Sequence, residues 1–283
     1  YLRRAVMPNT IALEAIEHDV IASTGAWSSK STMWQFENVD TIGSLLQIDP
    51  KECAQIKVER GLFGTRQQLL KTQAEYLSQK YHCVVTNPPY LGKGMGKELK
   101  NYVEVKYPKT KGDIMATFME RGLEMCVNNG KLSMINQDSW MFTVTYENFR
   151  VDLLSSDIQI DSLIHLGPHA FAEIGGEVVK TVTFCIGKHK VNGKGSYINV
   201  YNYKNHQQKE EYSLIAINNK DCGWYYEVSQ KAFSDINGNP ISFWGSEKIY
   251  ETFTRNLPLS AVCKPTQGLA TADNGRFLRS WFE

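Results

Sequence analysis

His82-Cys83-Val84-Val85-Thr86-Asn87-Pro88-Pro89-Tyr90 is the stretch on which the reading of this chain turns. A run of strand-forming residues ends in two prolines, which can neither donate to a β-ladder nor extend it. The expectation is a strand over His82 to Thr86 that stops sharply in a stiffened loop. In an open α/β sheet such a loop lies at the carboxyl end of its strand, where these sheets place their ligands. The bland alternative is a rigid turn carrying a surface tyrosine. At average residue frequencies Asn-Pro-Pro-Tyr would arise in a chain of this size on the order of once in a thousand. That rarity, together with its place after a strand, favours a functional loop.

Working outward, short apolar runs bounded by Gly, Pro, Asn or Asp predict further strands at Thr10–Ala15, Lys131–Asn136, Ile160–Leu166 and Val178–Ile186. Helical periodicity lies between them at Gln67–Lys80, Asp113–Val127 and Tyr146–Leu154. Strands alternating with helices indicate a largely parallel α/β sheet. No helical pattern separates Ile160–Leu166 from Val178–Ile186, so this pair reads as an antiparallel hairpin at one edge of the sheet. Tyr197–Tyr203 is a candidate for one more strand. Past residue 205 the periodicity weakens and Asn/Gly-rich turns appear at Asp235–Pro240 and Asp273–Gly275. Residues 1–205 therefore read as one domain, and 206–283 as a connector entering a second.

The 283 residues are 42% hydrophobic and 22% charged, which suits a folded domain with a sizeable core. The net charge is +1, so any contact with nucleic acid has to come from a local basic surface. Six scattered cysteines without a CxxC pair argue against a zinc ribbon, a redox motif and a disulfide framework, and suit a reducing, cytoplasmic setting. No apolar stretch approaches a membrane span in length. The chain opens on Tyr1 and ends in the aromatic stretch Phe277–Phe282, which reads as a piece of a longer polypeptide.

The residue types of the loop fit one chemistry. The exocyclic amine of adenine is a poor nucleophile because its lone pair is delocalised into the ring. The Asn87 amide oxygen and the Pro88 carbonyl can accept hydrogen bonds from that amine and favour a pyramidal nitrogen whose lone pair faces a methyl donor. The two prolines hold the carbonyl still, and Tyr90 offers a flat face to a base rotated out of its duplex. No general base is required before transfer.

With these residues the chain resembles the amino-methylating DNA methyltransferases, whose catalytic motif is Asn-Pro-Pro-Tyr. It is similar to the large adenine-specific enzymes of restriction-modification and of BREX (PglX-like) phage defence over roughly residues 8 to 283. The resemblance implies a Rossmann-like class I methyltransferase sheet, present in part and leading into a target-recognition domain. It implies S-adenosylmethionine as cofactor and double-stranded DNA as substrate, with other restriction or phage-defence subunits as possible partners. Asn87, Pro88, Pro89 and Tyr90 are then catalytic. Asp40, in Asp40-Thr41-Ile42-Gly43, approaches the cofactor with Asn87. Phe171, in the hairpin, packs the far side of the flipped base against Tyr90. Asn274 and Arg276, in the lead-in to the recognition domain, meet DNA. Lys111-Gly112-Asp113 with Phe118 is similar to the helix motif after the catalytic loop, and Gln137-Asp138-Ser139-Trp140 to the loop after the next strand. The glycine-rich cofactor loop and the acidic ribose ligand of the family are not found here. The isolated chain is therefore expected to bind the cofactor poorly and not to turn over.

Weaker signals have plain readings. Gly92–Lys97 departs from the Walker A and GxGxxG spacings, and reads as a mobile loop over the base rather than a phosphate cradle. Lys93 and Lys97 open a local excess of lysine that could meet DNA phosphates or simply be solvated. His165 and His169 flank Gly167-Pro168, which excludes a helical metal pair, so they read as core or loop histidines and no metal is assigned. Trp224-Tyr225-Tyr226 and Trp244 read as packing anchors rather than base-stacking rings. Two other functions stay open: methyl transfer to a glutamine amide or to RNA, and a non-catalytic module that docks DNA or a partner.

Overall fold

Seven strands form one mixed sheet among the described residues, which in this computed structural model are 4–6, 39–54, 56, 64–172, 179–191, 193–264 and 266. The strands are Arg4–Val6 (β1), Tyr81–Thr86 (β2), Cys126–Gln137 (β3), Gln159–Gly167 (β4), Thr181–Gly187 (β5), Gly195–Asn199 (β6) and Tyr225–Val228 (β7), in the order β1-β2-β3-β5-β4-β6-β7. The helices are Val39–Ile42 (α1), Pro50–Ala54 (α2), Gly64–Ser78 (α3), Lys97–Lys106 (α4), Ile114–Met125 (α5), Glu147–Leu153 (α6), His206–Asn218 (α7), Lys231–Ser234 (α8) and Glu247–Arg255 (α9). Strands β1, β2 and β3 are parallel, as are β4 and β6, while β5 and β7 run against their neighbours. The carboxyl ends of five strands therefore share one edge.

The strands and helices read around the proline loop are present with small shifts in their ends. Three features differ from the sequence reading. The antiparallel pair β4–β5 exists, but β5 fits between β3 and β4, and β6 and β7 carry the sheet beyond the pair. Gly92–Gly96 is a short turn that runs directly into helix α4, a helix the sequence reading did not include. Beyond residue 205 regular structure continues: Asn205 caps α7 by accepting from the Gln208 N–H, and β7 pairs with β6. The extra strand near Tyr197 is Gly195–Asn199 and ends before Val200. Thr10–Ala15 lies outside the described residues. Cα packing groups Tyr1–Trp244 as one unit and Gly245–Glu283 as another, the second containing α9. Among the described residues no helix is long and apolar enough to cross a membrane.

One sheet face builds the main core. Val84, Leu132, Met134, Leu163, Val182 and Phe184 are buried there, and α5 lies against β3. A Cβ on Gly122 would meet Leu132 Cδ1 at 2.6 Å, so glycine lets α5 approach this closely. Toward β6, α7 covers the other face: Ala216 packs with Ile198 and Val200. Arg121, 4% exposed, ties α5 to its surroundings. It donates to the carbonyls of Ser44 (3.3 Å), Leu46 (2.6 Å) and Leu77 (2.8 Å), joining α5 to the segment before α2 and to the end of α3. Arg121→Ala removes these donors and strands buried acceptors, so it should cost about 3 kcal/mol or more. A urea titration checks this: the midpoint should fall with little change in slope, and an unmoved midpoint would show that these bonds do not hold α5.

Candidate active site

From Val84 the pleat of β2 alternates buried and exposed residues up to Thr86, after which Asn87 is exposed, Pro88 buried, Pro89 exposed and Tyr90 half-buried. Thr86 pairs with Met134, so Asn87 emerges level with Ile135 while β3 continues to Gln137 and walls one side of the loop. Among the described residues none hydrogen-bonds the Asn87 side chain. Among these residues its amide is unpartnered at the carboxyl edge. The Tyr90 ring packs on the main core, and its hydroxyl makes a long 3.5 Å contact with the Ile135 carbonyl. Burial, with a smaller push from the Asp113 charge, raises the Tyr90 hydroxyl to about 12. At neutral pH it stays a phenol and presents an uncharged ring.

The other end of the loop is fixed by Asp113. This residue caps α5 by accepting the Met115 N–H at 3.0 Å, and the same Oδ1 accepts the Leu91 N–H at 3.1 Å. The Ile114 N–H returns a 3.4 Å bond to the Leu91 carbonyl. One carboxylate therefore serves a helix terminus and the residue that follows Tyr90. Burial raises the Asp113 carboxyl above its ordinary value, and the two backbone donors oppose that shift. The junction is close: a Cβ on Gly92 would lie 3.1 Å from Asp113 Oδ2, and one on Gly112 3.0 Å from the Tyr146 hydroxyl. The loop is thus clamped between the β2 ladder and the start of α5.

The other residues read from sequence fall as follows. Phe171 is half-buried in the bend after β4 and reaches the same carboxyl edge by chain connection. Lys93 is exposed in the turn after the loop, and Lys97 is the exposed first residue of α4. Asp40 belongs to α1, and its side chain is not among the described features. Asn274 and Arg276 lie outside the described residues. Among the described residues no group of three His, Cys, Asp or Glu side chains converges as a metal site.

Two features of this edge escaped the sequence reading. Asp113 was visible only as part of a family-like segment, with no role attached. His165 is buried as expected of a core histidine, yet its Nε2 lies 2.9 Å from Asp138 Oδ2. The pairing depends on β5 entering between β3 and β4, which puts Asn136, Val182 and His165 level across three strands. No local spacing signals that. Asp113→Ala should speed hydrogen exchange at the Leu91 and Met115 amides by about fivefold or more, the worth of a typical helix cap. Asp113→Asn, which keeps an acceptor, should restore most of the protection. Equal exchange in the wild type and the alanine variant would remove Asp113 from this role.

Comparison with known proteins matches residues 12–171 to the family described as Eco57I restriction-modification methylase. The chain is 33% identical over 273 residues to adenine-specific methyltransferase PglX of Lacticaseibacillus casei (strain Zhang), covering 94% of this chain and 22% of that protein. It is 33% identical over 270 residues to adenine-specific methyltransferase BrxX of Escherichia coli O9:H4 (strain HS), covering 89% of this chain and again 22% of the relative. Among solved structures, the methyltransferase subunit of a type I restriction-modification system from Streptococcus thermophilus aligns with a TM-score of 0.44 at 14% identity, over 63% of this chain and 46% of that one. The chain thus spans about a fifth of the length of the curated relatives it matches, and it belongs to the Eco57I restriction-modification methylase family.

Proposed function

We propose that this chain carries the catalytic loop of an S-adenosylmethionine-dependent DNA adenine-N6 methyltransferase acting in restriction-modification or BREX-type phage defence. The observation that carries the reading is the clamped Asn87–Tyr90 loop, with Asn87 exposed at the carboxyl edge of the sheet and unpartnered among the described residues. Membership of the methylase family and the adenine-specific activity for which the two curated relatives are named support it.

In this reading S-adenosylmethionine supplies an electrophilic methyl group when bound. An exposed amide oxygen beside a neutral ring suits a cationic donor meeting an uncharged amine, so the residues present fit the methyl end of the cofactor, with Asp40 assigned to its adenine. The Asn87 oxygen and the Pro88 carbonyl accept the two amine hydrogens and turn the nitrogen lone pair outward. Because the loop is fixed at both ends, these acceptors are set before the base arrives, and little reorganisation is needed during transfer. Tyr90 and Phe171 hold the two faces of the flipped adenine. Lys93 and Lys97, exposed just past the loop, take phosphates beside the flipped nucleotide, and Asn274 and Arg276 contribute DNA contacts farther along. Double-stranded DNA is the substrate, other restriction or phage-defence subunits are the partners, and the setting is cytoplasmic.

Methyl transfer by the full-length protein tests the roles. Asn87→Ala should lower turnover by about 100-fold or more, the scale for losing one preorganised group, while DNA affinity changes little. Equal losses of both would refute the acceptor role. Tyr90→Ala and Phe171→Ala should regain part of their activity when the target adenine is mismatched, because a mismatched base costs less to unstack. Absence of that rescue would contradict the stacking assignment.

A further inference from the structure

A second constructed surface lies along the edge that carries Asn87. Phe142, just after β3, and Trp244 are large aromatic residues left 36% and 41% exposed, with ring centroids 5.7 Å apart. His165 lies under Trp244 at 5.9 Å, its ring tilted by only 20°, and touches Tyr201 at 4.9 Å. Packing does not require this exposure. The neighbouring Phe243 does the packing: it is fully buried and stacks on Tyr197 at 5.0 Å.

The surface is rigid because both of its segments hang from one buried cation. The Arg150 guanidinium donates to the Trp140 carbonyl (2.9 Å) and the Thr143 carbonyl (2.8 Å), either side of Phe142. It also donates twice to the Gly238 carbonyl, at 3.0 and 2.6 Å, upstream of Trp244. The Ile241 N–H adds a 3.0 Å bond to the Met141 carbonyl, joining the two segments directly. Asp138 fixes the His165 ring through Nε2, and its Nδ1 is buried with no hydrogen-bond partner among the described residues. Above Tyr201 stands the Lys180 ammonium, 5.8 Å from the ring centroid.

We infer that the exposed rings of Phe142 and Trp244, backed by His165 and Tyr201, form a shelf on which a nucleobase flanking the target stacks. The inference rests on DNA being the substrate. Large aromatic rings left exposed on a rigid support suit a nucleobase. Position agrees. His165 is on the fourth strand counted from Asn87's own, about 14 Å across at ordinary strand spacing. That is roughly four stacked base steps, within reach of nucleotides flanking a base held at Asn87.

Photocrosslinking of the full-length protein to DNA carrying 5-iodouracil tests the shelf. Adducts should map to the peptides containing Trp244 or Phe142. Trp244→Ala should weaken DNA binding on the order of tenfold, and Trp244→Phe, which keeps a ring, should restore most of it. Adducts confined to other peptides, or Trp244→Ala binding as tightly as wild type, would overturn the proposal. Methyl transfer measured on the same preparations reports the catalytic reading separately. Transfer without shelf adducts removes the shelf and leaves the enzyme. Shelf adducts without transfer keep the shelf and remove the enzyme.

Discussion

The arrangement of the site depends on a single carboxylate oxygen, Asp113 Oδ1, which accepts one N–H from the proline loop and one from the first turn of α5. A loop with two prolines loses two donors and cannot be fixed by a ladder of its own. Its position has to come from its ends. On one side the β2–β3 register supplies it, and on the other the Leu91 amide is held by a residue that the helix needs as a cap in any case. Helix α5 is itself almost wholly buried against β3, so the loop inherits the rigidity of the core. Glycines at 92 and 112 leave this junction close, since a Cβ at either would press on Asp113 or Tyr146.

The same device recurs elsewhere in the molecule: a buried cation donates to backbone carbonyls that regular structure leaves over. Arg121 joins α5 to α3, and Arg150 joins the turn after β3 to the segment before Trp244. Lys209, 1% exposed, donates to the carbonyls of Leu166, Val200 and Tyr201, binding the ends of β4 and β6. Each satisfies acceptors that would otherwise be stranded inside the protein. Arg150 and Lys209 act near the carboxyl edge, where the loops that meet a ligand need a firm base. Arg121 acts at the opposite end of α5 from Asp113, so the helix that anchors the catalytic loop is held at both ends.

Much of the half around the proline loop was legible in the sequence, because local rules decide it. An apolar run stopped by Pro88-Pro89 marks β2 and its carboxyl end, and the helical pattern of Asp113 to Val127 marks α5. Long-range pairing was not legible. That β5 slips between β3 and β4, and so brings Asp138 to His165, follows from sheet topology that no local spacing records. Helix α7 was missed because its buried residues, Lys209, Ser213 and Ala216, carry no apolar stripe, while Leu214 and Ile217 face solvent. Helix α4 was hidden for a related reason: a glycine-rich, lysine-rich start masks the two residues it buries, Leu99 and Val103. Trp244 reads as packing from composition, and only the exposure of its ring separates it from Phe243.

The most direct test of the account is the identity of the methylated product. Full-length protein is incubated with DNA and S-adenosylmethionine labelled in its methyl group, and the DNA is digested to nucleosides for separation. The clamped Asn87 and Pro88 acceptors predict label in N6-methyladenine. Label in N4-methylcytosine, in RNA or in a protein glutamine would contradict the adenine assignment, and no transfer at all would leave the loop without the chemistry assigned to it.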